Sequence, residues 1–295
     1  MRILITGVAG FIGFHLSLFL LKKKYKIIGI DFIRNQNDFK INKKRLKILL
    51  KYKNFKFINQ NLAKNNFNCE QVNCIIHLAA YAGVYKSFKN PYKYLRNNIL
   101  SFQNIIDYGY KNEIPLIYAS SSSVYNIDSY NLNENKPINQ QNNIYSITKF
   151  TNEQVANVYL KKYGYKSVGL RFFSIYGPWG RPDMAYFIFS QKLKNNKLIN
   201  LYNYGQDMRD FTFIDDILKP INYLIKNFNK IDNLKKVYNI GNNNPVKIIN
   251  LVKIIASHYN KKPRLKYLEK RVGEALKTKA NILLAKKDLN FQNKT

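Results

Sequence analysis

The chain has 295 residues, 46% hydrophobic and 15% aromatic, which is enough apolar material for a large packed core and excludes general disorder. It shows no apolar run long enough to span a bilayer, and its two cysteines (Cys69, Cys74) and three histidines supply neither a disulfide framework nor a metal cluster. The formal charge of +32 suits a polyanion binder, but only nine of the 49 basic residues are arginine and the lysines are dispersed; compositional drift toward Lys, Asn, Ile, Tyr and Phe accounts for it, and no nucleic-acid, membrane or metal partner is expected.

RILIT (2–6) opens the chain as a strand. The start lacks the basic region and apolar core of a leader, so a cytoplasmic protein is expected. TGVAGFIG (6–13) follows and leads into a helix over 11–24. Its glycines, Gly7, Gly10 and Gly13, are spaced GxxGxxG, one residue wider at the first gap than the common dinucleotide fingerprint. The physics is shared. Gly7 permits a tight turn, Gly10 lets the backbone approach a pyrophosphate, and Gly13 lets helix and strand pack closely. The helix N-terminus then offers unpaired N–H groups to phosphate. KIIGID (26–31) is the second strand, and Asp31 ends it 18 residues past Gly13. A carboxylate there hydrogen-bonds an adenosine ribose hydroxyl and repels a 2′-phosphate, favouring NAD over NADP. Arg34, close by, is the one cation that weakens this preference.

A helix over 38–52, strands FKFIN (55–59) and CIIHLAA (74–80), a helix over 92–111, strand PLIYASS (115–121), a helix over 145–163 and strand KSVGLRFF (166–173) continue the alternation. This rhythm predicts an α/β fold, a Rossmann-type doubly wound parallel sheet, over residues 1–173. After Phe173 the rhythm changes. GPWGRPDM (177–184) reads as a loop with a helix after it to about Lys194. DMRDFTFIDDI (207–217) reads as a strand and helix start, VYNIGNNNP (237–245) as a strand and turn, and 247–259 as a helix before a basic tail. Residues 174–295 are expected to form a smaller C-terminal substrate-binding lobe, with 206–240 returning to the first domain.

Ligands of such sheets sit outside the carboxyl ends of the strands, so the serines of YASSSSVY (118–125) should face the site. In NIYSITKF (143–150), Tyr145 and Lys149 are four residues apart and share one helical face. A phenol titrates near 10; an adjacent ammonium and a cationic cofactor ring favour its ionised form. With a serine hydroxyl to orient the substrate, the group is a base for oxidising a secondary alcohol by hydride transfer.

Through TGxxGxxG, SSSxVY and YxxxK in that order, the chain resembles the extended short-chain dehydrogenases/reductases, the NAD-dependent epimerase/dehydratase family. Through IIHLAAYAGV, LRFFSIYGPWGRPDMA, RDFTFIDDI and VYNIGNNNPV it is similar to the UDP-glucuronate 4-epimerase branch. The resemblance implies a redox-neutral epimerisation of a UDP-sugar, UDP-glucuronate to UDP-galacturonate, on tightly held NAD through a 4-keto intermediate. Tyr145 would be the acid/base, Lys149 its partner on the nicotinamide ribose, and Ser121 the catalytic hydroxyl. Cofactor positions implied are Gly7, Gly10, Phe11, Ile12, Gly13, Asp31, Asn61, Leu62, Ala79, Ala80, Asn98, Tyr145, Lys149 and Phe172. Substrate positions implied are Ser122, Ser123, Phe173, Ser174, Arg181, Arg209 and Arg271. A homodimer is also expected.

Ser122 and Ser123 stand where a 4,6-dehydratase needs an Asp-Glu pair, which disfavours dehydration. A UDP-glucose 4-epimerase is the nearer alternative, and a non-catalytic NAD-binding regulator is the reading from another class. Retention of Ser121, Tyr145 and Lys149 together argues against the regulator. Four features depart from the branch pattern: Asn61 replaces an adenine-side Asp, Tyr85 followed by Lys86 replaces an arginine, Glu274 replaces an Asp, and the chain ends at Thr295, short of the family's last helix.

Overall fold

The computed structural model describes residues 1–33, 40–64, 67, 69–125, 130–231, 234–271 and 273–295. Arg34 lies outside the described residues. In chain order the strands are β1 (Arg2–Thr6), β2 (Lys26–Asp31), β3 (Phe55–Asn59), β4 (Cys74–His77), β5 (Leu116–Ser121), β6 (Ser167–Phe172), β7 (Ser174–Tyr176), β8 (Ile199–Tyr202), β9 (Met208–Phe213), β10 (Val237–Ile240), β11 (Pro245–Lys247) and β12 (Leu265–Leu268). The helices are α1 (Phe11–Lys22), α2 (Lys40–Leu49), α3 (Val84–Lys89), α4 (Pro91–Lys111), α5 (Ile144–Tyr163), α6 (Ala185–Lys194), α7 (Ile214–Asn227), α8 (Ile248–His258) and α9 (Leu283–Leu289).

Seven strands form one parallel sheet in the order β10-β6-β5-β4-β1-β2-β3. This is the doubly wound arrangement that the alternation predicts. The order reverses beside β1, and the crevice outside that switch point is where such folds bind ligands. Ile3, Leu4 and Ile5 of β1 and Ile75 and Ile76 of β4 are fully buried. The strands therefore carry continuous apolar runs, as a sheet covered on both faces requires.

Two further sheets lie beyond it. β7 pairs with β9 in parallel and β9 with β11 antiparallel, while β12 pairs with β8. Phe189, Leu193, Ile199, Leu201, Val252 and Ala256, from α6, β8 and α8, bury a separate small core. Phe173 is the hinge in this path, since the chain leaves the large sheet at Phe172 and enters the small one at Ser174. β10 then rejoins the large sheet beside β6. Alternation alone did not suggest α3, β7, β8, β11, β12 or α9, which are all short elements of three to seven residues.

The CIIHLAA strand stops at His77 rather than Ala80. There the Leu78 N–H is shared between Thr6 O and Thr6 Oγ1, both at 3.2 Å, and the Ala79 N–H donates to Thr6 Oγ1 at 3.2 Å. Residues 78–80 thus leave the ladder and become the floor of the cleft.

Candidate active site

A cleft of about 1670 Å³ opens at the carboxyl ends of the large sheet. Of the residues that the sequence suggests for cofactor and substrate, all line it except Asn98. Asn98 works from beneath. Its Oδ1 accepts from the Tyr81 N–H at 2.8 Å, and its Nδ2 donates to Tyr81 O and Thr148 Oγ1, both at 3.0 Å. The amide is thereby spent on holding the 79–83 segment against α4 and α5, so its effect on the site is indirect.

The phosphate turn is shaped by close backbone approach. Gly7 has φ +69, a left-handed conformation, and a Cβ on Gly13 would lie 2.2 Å from Gly7 O. Gly10 caps α1 with no side-chain hydrogen bond, which leaves the first N–H groups of the helix for an anion. Asp31 closes the turn: Oδ2 accepts from Ala9 N–H at 3.0 Å and Oδ1 from Phe32 N–H at 2.8 Å. Burial raises its carboxyl, and these two N–H bonds oppose the rise. A third N–H, that of Gly10, also bonds the carboxylate, and the acceptor capacity that remains fits a ribose hydroxyl. Asn61, at the outer edge, takes Ala63 N–H on its Oδ1 at 3.0 Å. These residues fit a dinucleotide.

α5 presents Tyr145 and Lys149 to the cleft. Asn143 caps it by accepting from Ser146 N–H at 2.8 Å, and Gly164 ends it in the left-handed conformation. In the first turn, Tyr145 faces the cleft and is hydrogen-bonded to the Ser121 side chain. Ser121 Oγ accepts both from Ser123 N–H, at 3.2 Å, and from Ser123 O–H, at 2.9 Å. With both acceptor positions occupied, its own hydrogen is left for Tyr145.

Burial nevertheless raises the phenol above its ordinary value, opposed by the Ser121 bond and the Arg181 charge. This differs from the sequence expectation, in which Lys149 lowers it. The Lys149 ammonium is instead committed to Ala119 O at 2.8 Å. Burial brings Lys149 down to about 8, with the Glu153 carboxylate opposing.

The cleft also carries two arginine groups. Arg181 forks onto Asp183, Nε to Oδ1 at 3.1 Å and Nη2 to Oδ2 at 2.9 Å, and reaches Ala82 O at 3.2 Å. Lys86 also meets Asp183 Oδ2 at 2.9 Å. Burial alone would raise Asp183, but its bonds to Arg181 and Lys86 hold it well below the usual carboxylate range. In the second group, Glu274 lies 3.7 Å from Arg209 and 3.6 Å from Arg271. The Arg271 guanidinium stacks on Tyr202 at 3.6 Å and faces Tyr85 at 5.2 Å.

Sequence reasoning missed Arg45, Tyr94 and Asp183. Tyr94 is buried, donates to Ala82 O at 3.0 Å and packs edge-on to Tyr145 with ring centroids 6.3 Å apart. Burial pushes it up to about 12, so it stays a neutral wall. Asp183 had a visible signal, two residues after Arg181. Arg45 also had one, as the single arginine in a helix whose other cations are all lysine.

Comparison with known proteins gives a consistent answer. The family model described as "NAD dependent epimerase/dehydratase family" matches residues 3–241. UDP-glucuronate 4-epimerase 6 of Arabidopsis thaliana is 38% identical over 74% of this chain and 50% of its own length. An uncharacterized UDP-glucose epimerase of Bacillus subtilis, YtcB, is 36% identical over 100% of this chain and 94% of its own. A crystal structure of a mutant UDP-glucuronic acid 4-epimerase from Bacillus cereus, in complex with UDP-4-deoxy-4-fluoro-glucuronic acid and NAD, superposes with a TM-score of 0.93 at 28% identity, over 100% of this chain and 95% of that one.

Proposed function

The chain belongs to the NAD dependent epimerase/dehydratase family, and from that premise we propose that it is an NAD-dependent 4-epimerase of a UDP-sugar that interconverts UDP-glucuronate and UDP-galacturonate. The observation that carries this reading is the run of hydroxyls from Ser123 through Ser121 to Tyr145 in a cleft that begins at a phosphate turn. Gly10, Phe11 and Ile12 would hold the pyrophosphate and Asp31 the adenosine ribose, with Lys149 near the nicotinamide end. Bound NAD supplies the hydride acceptor and donor at C4 of the sugar.

The chain's own residues move the proton. Tyr145 Oη takes it from the sugar 4-hydroxyl and later returns it. Ser121 donates to Tyr145 Oη and so favours the ionised form. The nearby positive charge of Arg181 acts in the same direction. Tyr94 and Phe173 wall the reacting position and limit water.

The acid sugar is favoured by the cations on the substrate wall, Arg181, Lys86, Arg209 and Arg271. One observation supports UDP-glucose as a second reading: two of the Arg181 nitrogens are already engaged by Asp183. Incubating the NAD-loaded protein with UDP-glucuronate and, separately, UDP-glucose, then resolving the products, decides between them. Formation of UDP-galacturonate is expected. Turnover of UDP-glucose alone would replace the acid-sugar reading, and turnover of neither sugar would end the epimerase reading. Two copies pairing through the exposed apolar side chains of α4 and α5, including Tyr92, Leu100 and Val158, is the proposed assembly.

A further inference from the structure

We infer that Arg45 is a positioning residue for the substrate: one guanidinium registers the loop that carries Arg181 against the phosphate turn, so cofactor cradle and substrate cation are set together. The inference rests on the epimerase reading above and assigns a determinant of substrate affinity within it.

Arg45 differs from every other cation of α2. Lys40, Lys43, Lys44 and Lys47 are exposed, whereas Arg45 is 2% exposed. Its fork meets carbonyls from two parts of the fold. Nη1 donates to Ala9 O in the phosphate turn at 3.0 Å, and Nη2 donates to Trp179 O at 2.5 Å and Gly180 O at 3.3 Å. It makes no carboxylate ion pair among the described residues. A buried cation spent on three carbonyls fixes backbone rather than balancing charge.

The loop it holds needs holding. Trp179 has φ 57 and Gly177 φ 150, both in the region that disfavours ordinary side chains. His15 Nε2 donates to Pro178 O at 2.8 Å, since a carbonyl can only accept. Three successive carbonyls, those of Pro178, Trp179 and Gly180, are thereby bonded to α1 or α2. Trp179 also packs edge-on to Phe14 at 5.9 Å. The next residue is Arg181, whose charge acts on Tyr145 and is acted on by it. The path Ala9, Arg45, Gly180, Arg181, Tyr145 is continuous from cofactor turn to acid/base.

The test compares Arg45→Met, Arg45→Lys and His15→Ala with the wild type, as NAD-loaded protein, in the wild-type and Arg181→Ala backgrounds. If Arg45 acts by placing Arg181, Arg45→Met raises KM for the UDP-sugar about tenfold, with a smaller fall in kcat. Arg45→Lys, which keeps the charge but not the fork, behaves like Arg45→Met. In the Arg181→Ala background the added effect on KM vanishes, because the two residues act as one unit. A loss of melting temperature with KM unchanged, or the same KM penalty in both backgrounds, overturns the inference while leaving the epimerase reading intact. If Arg45→Met does not fold, His15→Ala decides by the same criteria, since it frees Pro178 O and loosens the loop from outside the buried fork. A wild type that turns over neither UDP-sugar overturns the parent reading and the inference with it.

Discussion

Arg171 grips Glu153 through two parallel hydrogen bonds, Nη2 to Oε2 at 2.7 Å and Nε to Oε1 at 2.9 Å, with side chains only 4% and 6% exposed. The pair ties β6 to α5, two turns along the helix from Tyr145. Glu153 Oε1 also accepts from Ser120 Oγ at 2.5 Å, and Arg171 Nη1 reaches Tyr125 Oη at 2.8 Å. Burial would lower the guanidinium, but the bonds and charge of Glu153 raise it above its ordinary value. Glu153 lies one helical turn past Lys149 and favours its charged form.

Glu153→Gln leaves Arg171 buried without its counter-charge. A loss of about 3–5 kcal/mol is expected for breaking such a pair from one side, read by chemical denaturation. Glu153→Gln combined with Arg171→Met removes both charges and should be markedly less destabilised than the single change.

The pH dependence follows from Lys149. With its ammonium brought down to about 8 by burial, the charge is present below that pH and is lost as pH rises through it. The kcat/KM profile should therefore fall on the alkaline side with a midpoint near 8. In the Glu153→Gln/Arg171→Met protein, with the opposing carboxylate gone, the midpoint moves to lower pH.

Gly10→Ala puts a Cβ 2.9 Å from Gly7 O, at the turn proposed to face the pyrophosphate. Crowding of this kind costs about 1–3 kcal/mol, so NAD affinity should drop roughly 10- to 100-fold, measured as cofactor retained on dialysis and by titration. An unchanged affinity would show that the pyrophosphate sits elsewhere.

Asp31→Asn removes the carboxylate charge at the end of β2 while keeping an acceptor for Ala9 N–H. The ratio of NADP to NAD affinity should rise by about tenfold or more, since repulsion between unit charges about 4 Å apart runs from about 1 kcal/mol in bulk water to about 4 kcal/mol near a protein surface. Equal discrimination before and after the change would move the specificity away from Asp31.

The large sheet was legible because buried parallel strands carry long apolar runs; RILIT and KIIGID match β1 and β2 residue for residue. That Gly7, Gly10 and Gly13 and the Tyr145–Lys149 pair line one cleft could be anticipated because a tight turn and a shared helix face depend on local spacing. What escaped depends on long-range contact. Arg45 gains its partners 36 and 134 residues away in the chain, and no window of local sequence contains them. The Ala119 O partner of Lys149 escaped for the same reason: spacing of four places Lys149 on the cleft face of α5, but the carbonyl on β5 lies 30 residues away in the chain. The short strands β7, β8, β11 and β12 have too few residues for periodicity to register.

The central claim is that Tyr145 moves the sugar 4-hydroxyl proton. Its most direct test is the initial rate at which NAD-loaded wild type and Tyr145→Phe convert UDP-glucuronate to UDP-galacturonate, with bound NAD quantified in both. The variant should retain the cofactor and lose activity by about 10²–10⁴-fold, the range for a removed general acid/base. A Tyr145→Phe protein that epimerises at the wild-type rate would contradict the account.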